Sequence, residues 1–180
     1  QALAATFGTS GPSDTYRYSG KTDPQIVHEL MASAGLPREA VAPRLDEVFA
    51  TYLAALEGAL RGVATPLAGV RELLDELSRH DDVALGLLTG NIEPGARIKL
   101  RAAGLDGYFA VGAFGSDDEG RDRLVPVARE RARARWGDAF PGAGKENATD
   151  IYSTSASFCG ARDTGEDRSW RCFRCDDRGA

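Results

Sequence analysis

Residues 83–89, Val-Ala-Leu-Gly-Leu-Leu-Thr, are a continuous apolar run that ends on a hydroxyl and passes through Gly90 and Asn91 into a helix-like segment. A short uninterrupted run of this kind fits a parallel strand covered on both faces. The segments around it alternate in period. Residues 65–80 open on a Thr-Pro start signal and carry Leu67, Val70, Leu73, Leu74 and Leu77 at helical spacing. Residues 93–105 read as a helix stopped at Gly104, with Leu105 placed for the hydrophobic contact of a Schellman motif. Residues 108–114 read as the next strand and 123–136 as the next helix. Helix, strand, helix, strand, helix is the grammar of an α/β chain with a parallel sheet and right-handed crossovers.

Residues 1–62 carry no strand signal and read as a separate helical module. Thr22 or Asp23 serves as N-cap, Pro24 falls in the first turn and Gly35 stops the helix, whose apolar face is Ile26, Leu30 and Met31. A second stripe runs through Leu45, Val48, Phe49, Leu53 and Leu56, with Pro43 breaking or beginning that helix. The net charge of −5 argues against a nucleic-acid binder that works by neutralising phosphates. No apolar run is long enough to cross a bilayer, so a membrane partner is not expected. With only two histidines, His28 and His80, a His-rich metal site is excluded. All three cysteines lie at 159, 172 and 175, and the preceding residues read as a reduced, cytoplasmic protein.

Ligands of open α/β sheets bind outside the C-terminal ends of the strands, and Thr89 stands at such an end. Two readings fit the turn. Thr89 and Asn91 can cap the helix that follows. Alternatively, the Thr89 hydroxyl and the N–H groups of Gly90 and Asn91 can receive a phosphate at a helix N-terminus.

Three stretches, in this order, bear on the choice: "YSGKTDPQIV" at 18–27, "LLTGN" at 87–91, and "KLRAAGLDGYF" at 99–109 followed by "GAFGSDDEGRDRLVPVARERA". Together they resemble the haloacid-dehalogenase-type hydrolases, and within them the phosphoglycolate-phosphatase-like members, over residues 1–143. The resemblance implies a partial Rossmann-like parallel-sheet core at 63–143, a helical cap at 1–62, and a further segment at 144–180. It implies Mg²⁺-dependent hydrolysis of a small phosphorylated metabolite through an aspartyl-phosphate. Thr89 would then hold the transferring phosphoryl group, with Gly90 and Asn91 supplying donors. The family's third motif supplies a cation, usually Lys. No Lys occurs between 100 and 144, so Arg121 is the candidate and Arg123 the reserve. In the cap, Arg17, Lys21 and Thr22 are expected to face the site opening and select the substrate, or else to form an ordinary polar loop.

Two parts of the family pattern are missing. No apolar strand leads into Asp-x-Asp-Gly-Thr, and no Gly-Asp motif follows residue 143. The nucleophile and the Mg²⁺ ligands therefore belong to a longer parent, and no metal ligand is assigned within these residues. Residues 144–180 lose the apolar patterning and are expected to be a non-native or disordered tail.

Three rivals remain. "TYRYSGKT" ends like a P-loop, but Thr15 stands where glycine is required and no buried strand precedes it. Cys172-x-x-Cys175 with Cys159 suggests zinc but provides three ligands where a structural site takes four. The third is a non-catalytic binding or interaction module. The sequence carries no signal for oligomeric state.

Overall fold

A computed structural model of the chain describes residues 1–60, 64–81 and 83–137, together with the backbone of 149–150, 156–163 and 168–172. The helical module comprises α1 (Ala2–Phe7), α2 (Asp23–Ser33), α3 (Arg38–Val41) and α4 (Leu45–Ala59), with a 3₁₀ turn at Ala42–Arg44. Thr22 is the N-cap of α2: its hydroxyl accepts from Gln25 N at 3.3 Å, and Pro24 occupies the first turn. Val27, Leu30, Met31, Val41 and Val48 form the module's core. Pro43 lies in the 3₁₀ turn, so the helical pattern over 38–62 divides there. Only Val48 of the expected α4 stripe is fully buried.

The second unit contains α5 (Val70–Leu77), β1 (Val83–Thr89), α6 (Glu93–Ala102), β2 (Val111–Ala113) and α7 (Leu124–Trp136). β1 and β2 pair in parallel, with Gly86 opposite Val111 and Leu88 opposite Ala113. Alternate side chains of β1 serve opposite faces. Leu85 and Leu87 pack with Leu74, Leu77, Leu100 and Phe109 on the α5–α6 face. Ala84 meets Ala132 of α7, and Leu88 meets Leu124, on the other. A strand covered by helices on both sides is what the unbroken apolar run requires, and this establishes the α/β class.

Three expectations change. α5 begins at Val70, with Gly69 as N-cap at φ 81°, so Thr65-Pro66 does not start it. Consequently Leu67 is 46% exposed, and Leu73, on the outer face of the short helix, is 39% exposed. The second strand is three residues long because Asp106–Tyr108 turn as a 3₁₀ helix in which the Tyr108 hydroxyl donates to Asp75.

The sheet is also mixed, not wholly parallel. Its order is β2-β1-β4-β3, where β3 is Thr149–Asp150 and β4 is Ala156–Asp163; β5 (Arg168–Cys172) pairs with β4. β4 runs antiparallel to β1 in register from Val83↔Arg162 to Thr89↔Ala156. Most of the stretch expected to be a tail, and the side chains of its cysteines, lie outside the described residues.

Candidate functional site

Thr89, Gly90 and Asn91 lie together where β1 gives way to α6, and the turn is enclosed. Thr89 is fully buried and Asn91 nearly so. The Thr89 hydroxyl accepts from both the backbone N and the side-chain Nδ2 of Asn91, each at 3.2 Å. This directs the Asn91 carbonyl oxygen the other way, where it accepts from Lys99 Nζ. Lys99 sits two turns into α6, and its side chain leans back toward the helix start, as helical side chains do.

The helical module closes over the turn through Lys21, Thr22 and Asp23. Asp23 N donates to Gly90 O at 2.7 Å, and Asp23 Oδ2 accepts from Ile92 N at 2.8 Å. The Thr22 hydroxyl donates to Glu119 O at 2.7 Å. Gly115 N donates to Asn91 O at 2.8 Å, which ties the loop after β2 to the same place. These approaches depend on glycine. A Cβ on Gly90 would stand 2.2 Å from Lys21 O, and one on Gly115 would stand 2.1 Å from Gly90 O.

The N-terminus of α6 is therefore served by a carboxylate, and that carboxylate belongs to the chain. Ile92 is the N-cap residue of α6, and its N–H is among the orphan donors that attract anions. Burial raises the Asp23 pKa above its ordinary value, with the Ile92 N–H and the Lys99 charge acting against it. Burial lowers the Lys99 pKa, and the Asp23 charge opposes that. Each group is the other's counter-charge in a desolvated setting.

The remaining sequence-derived candidates are distributed differently. Lys21 binds within its own module, to Glu29 and to the Tyr16 hydroxyl at 3.0 Å, with its ammonium 4.3 Å from the Tyr16 ring centroid. Arg17 is exposed. Arg121 and Arg123 line a broad cleft with His28, Arg38 and Glu119, and neither Thr89 nor Asn91 lines it. Arg38 forms a two-pronged ion pair with Glu119 there, and Arg123 binds Asp118 at 2.7 Å. Thr22 links the two places, since it bonds Glu119 and packs against Gly115.

Sequence reasoning missed Lys99 and Asp23. Lys99 had one signal: it is seven residues after Ile92, on the face of α6 that the turn enters. Asp23 had none, because its partner is 69 residues away.

The described residues do not fit a divalent cation. Among them no group of three or more His, Cys, Asp or Glu is positioned to hold a metal. At the turn the Asp23 carboxylate is held by an N–H and faced by an ammonium, whereas Mg²⁺ needs several oxygen ligands. Among the described residues, too, no helix is long and apolar enough to cross a membrane. Compared with protein-family models and with curated proteins, the chain matches none.

Proposed function

We propose that these residues are the phosphate-gripping portion of a haloacid-dehalogenase-type hydrolase, phosphoglycolate-phosphatase-like, whose longer parent cleaves small phosphate esters. What supports the reading is the turn itself: a buried Thr-Gly-Asn at the C-terminal end of a parallel strand, entering a helix, with Lys99 on the Asn91 amide. In this reading Thr89 and the turn's N–H groups receive the phosphoryl oxygens, and Lys99 takes the place for which Arg121 is the sequence candidate. The attacking aspartate and the metal ligands come from the parent, and no step of the reaction is assigned to the described residues.

The test compares two chains. The 180-residue chain, assayed with Mg²⁺ and a panel of small phosphate monoesters, is expected to release no phosphate. A chain extended upstream to include an Asp-x-Asp-Gly-Thr strand, and carrying a strand and a Gly-Asp motif after residue 143, is expected to release it. Thr89→Ala should then lower kcat by about a hundredfold, the usual loss for one oxyanion donor. An extended chain without turnover, or with turnover indifferent to Thr89→Ala, rejects the proposal.

A second reading, a binding or interaction module without catalysis, is favoured by one observation: Asp23 already occupies the helix N-terminus that a phosphate would need.

A further inference from the structure

His28 is 7% exposed and sits on the face of α2 that also carries Gln25 and Ala32. That face forms one wall of a cleft of about 640 Å³, and residues 119–123, after β2, form the opposite wall. Glu119 ties the walls together. Its carboxylate takes the two-pronged ion pair from Arg38 of α3, and its backbone oxygen accepts from the Thr22 hydroxyl. Thr22 is also the N-cap of α2 and precedes Asp23, so the cleft and the clasp over the turn share an attachment.

His28 Nδ1 is buried and has no hydrogen-bond partner among the described residues. A neutral imidazole tolerates this, because one of its nitrogens is a lone-pair acceptor. An imidazolium carries N–H on both nitrogens, so a proton taken up in place leaves a buried donor unmatched. It also adds a cation near Arg38. Burial, and then the Arg38 charge, hold the His28 pKa below its ordinary 6.5, with Glu119 opposing. The other charges of the cleft are engaged elsewhere: Glu29 with Lys21 and Tyr16, and Arg123 with Asp118. Arg121 and Asp122 offset one another in the loop wall. Glu39 acts on Arg38, and Asp118 on Glu119.

We propose that His28 is an acid-sensitive latch between the two units: on taking up a proton it parts residues 119–123 from α2 and opens the clasp over the Thr-Gly-Asn turn. The imidazolium is then solvated through the widened cleft, and Glu119 releases Arg38 and Thr22. A proton binds more tightly to the state that solvates the ring, so falling pH moves the population toward the open state. The latch needs only the contacts between the units and does not rest on the phosphatase reading.

The test follows amide exchange in the 180-residue chain from about pH 7.5 to about pH 5.5, the range in which a histidine titrates, and the His28 ring is titrated by NMR. Rates are corrected for the intrinsic pH dependence of exchange. Protection at Asp23 N and Ile92 N, whose bonds make the clasp, should fall by up to about tenfold. That is the limit for a ring with a pKa of about 6.5 when open and no proton when closed. Leu105 N, which bonds Leu100 O at the end of α6, should keep its protection, which separates local opening from unfolding. Asp23 does not mimic the effect, because its pKa is raised in the closed state and acid favours closure through that group. His28→Gln should abolish the pH dependence, and His80→Gln should leave it in place. Arg38→Gln is the second variant: the Arg38 side chain is 59% exposed, so the core survives, and the ring's midpoint should rise toward its ordinary value. Protection unchanged with pH, a change that survives His28→Gln, equal loss at Leu105, or a ring midpoint unmoved by Arg38→Gln would each overturn the latch.

Discussion

Gly90→Ala is expected to destabilise the protein by about 3 kcal/mol and to loosen the helical module from the turn. Small-to-large changes in tight packing cost about 1–3 kcal/mol, and the top of that range applies where the obstruction is backbone. Here the added methyl would stand 2.2 Å from Lys21 O and 3.0 Å from Lys21 C, with Thr22 Cα at 3.1 Å. None of these is the tip of a flexible side chain. Relief requires residues 21–23 to withdraw, which breaks the Asp23 N to Gly90 O bond and strains the Asp23 to Ile92 bond. Urea unfolding measures the loss, and amide exchange at Asp23 and Ile92 measures the loosening. Gly107→Ala is the control: a Cβ there has nothing within 4 Å, and the change should stay within about 0.5 kcal/mol. Equal stability of Gly90→Ala and the control would mean that the clasp is not close-packed.

Lys99→Met should cost about 2–3 kcal/mol at neutral pH, and adding Asp23→Asn should recover most of it. Removing one member of a fully buried charge pair costs about 3–5 kcal/mol; Asp23 and Lys99 are partly buried, so a smaller figure applies. The double variant leaves neither charge without its counterpart, and a double-mutant cycle isolates the coupling. The pH dependence separates the two groups. The folded pKa of Asp23 is raised above its ordinary 3.8, so the folded state holds that proton more tightly than the unfolded state. Its contribution is present below that value and is lost as pH rises through the raised one. Lys99 runs in the opposite sense. Its folded pKa is lowered from 10.5, the unfolded state holds the proton more tightly, and stability from this group rises as pH climbs from the lowered value toward 10.5. Asp23→Asn should flatten the acid side of the stability profile and Lys99→Met the alkaline side. Additive single variants with unchanged profiles would show that the two groups do not interact.

What was legible in the sequence was what rests on short-range pattern. β1 covers residues 83–89 because an unbroken apolar run needs cover on both faces, and helices provide it. The stop of α6 at Gly104 was legible for the same reason: Leu105 N donates to Leu100 O at 2.8 Å and the Leu105 side chain is buried in the core. Thr22 as N-cap and Pro24 in the first turn are local chemistry too. The start of α5 is hidden because Thr65-Pro66 has the composition of a cap, while the helix begins after a left-handed glycine four residues later. The true start of β2 is hidden because the 3₁₀ turn at Asp106–Tyr108 has no apolar period to reveal it. At the site, the turn was legible and its enclosure was not. The bond from Thr22 to Glu119 spans 97 residues, and no spacing rule links segments that far apart.

The clasp has a thermodynamic consequence for any anion that approaches α6. Asp23 is a competitor tethered to the site it occupies, so it acts at an effective concentration set by the chain and not by the solution. A free anion must outbid a ligand that never diffuses away, and its apparent affinity falls by that ratio. Were the turn to receive a phosphate as proposed, that competition would favour esters that bring interaction energy from elsewhere on the molecule over inorganic phosphate alone.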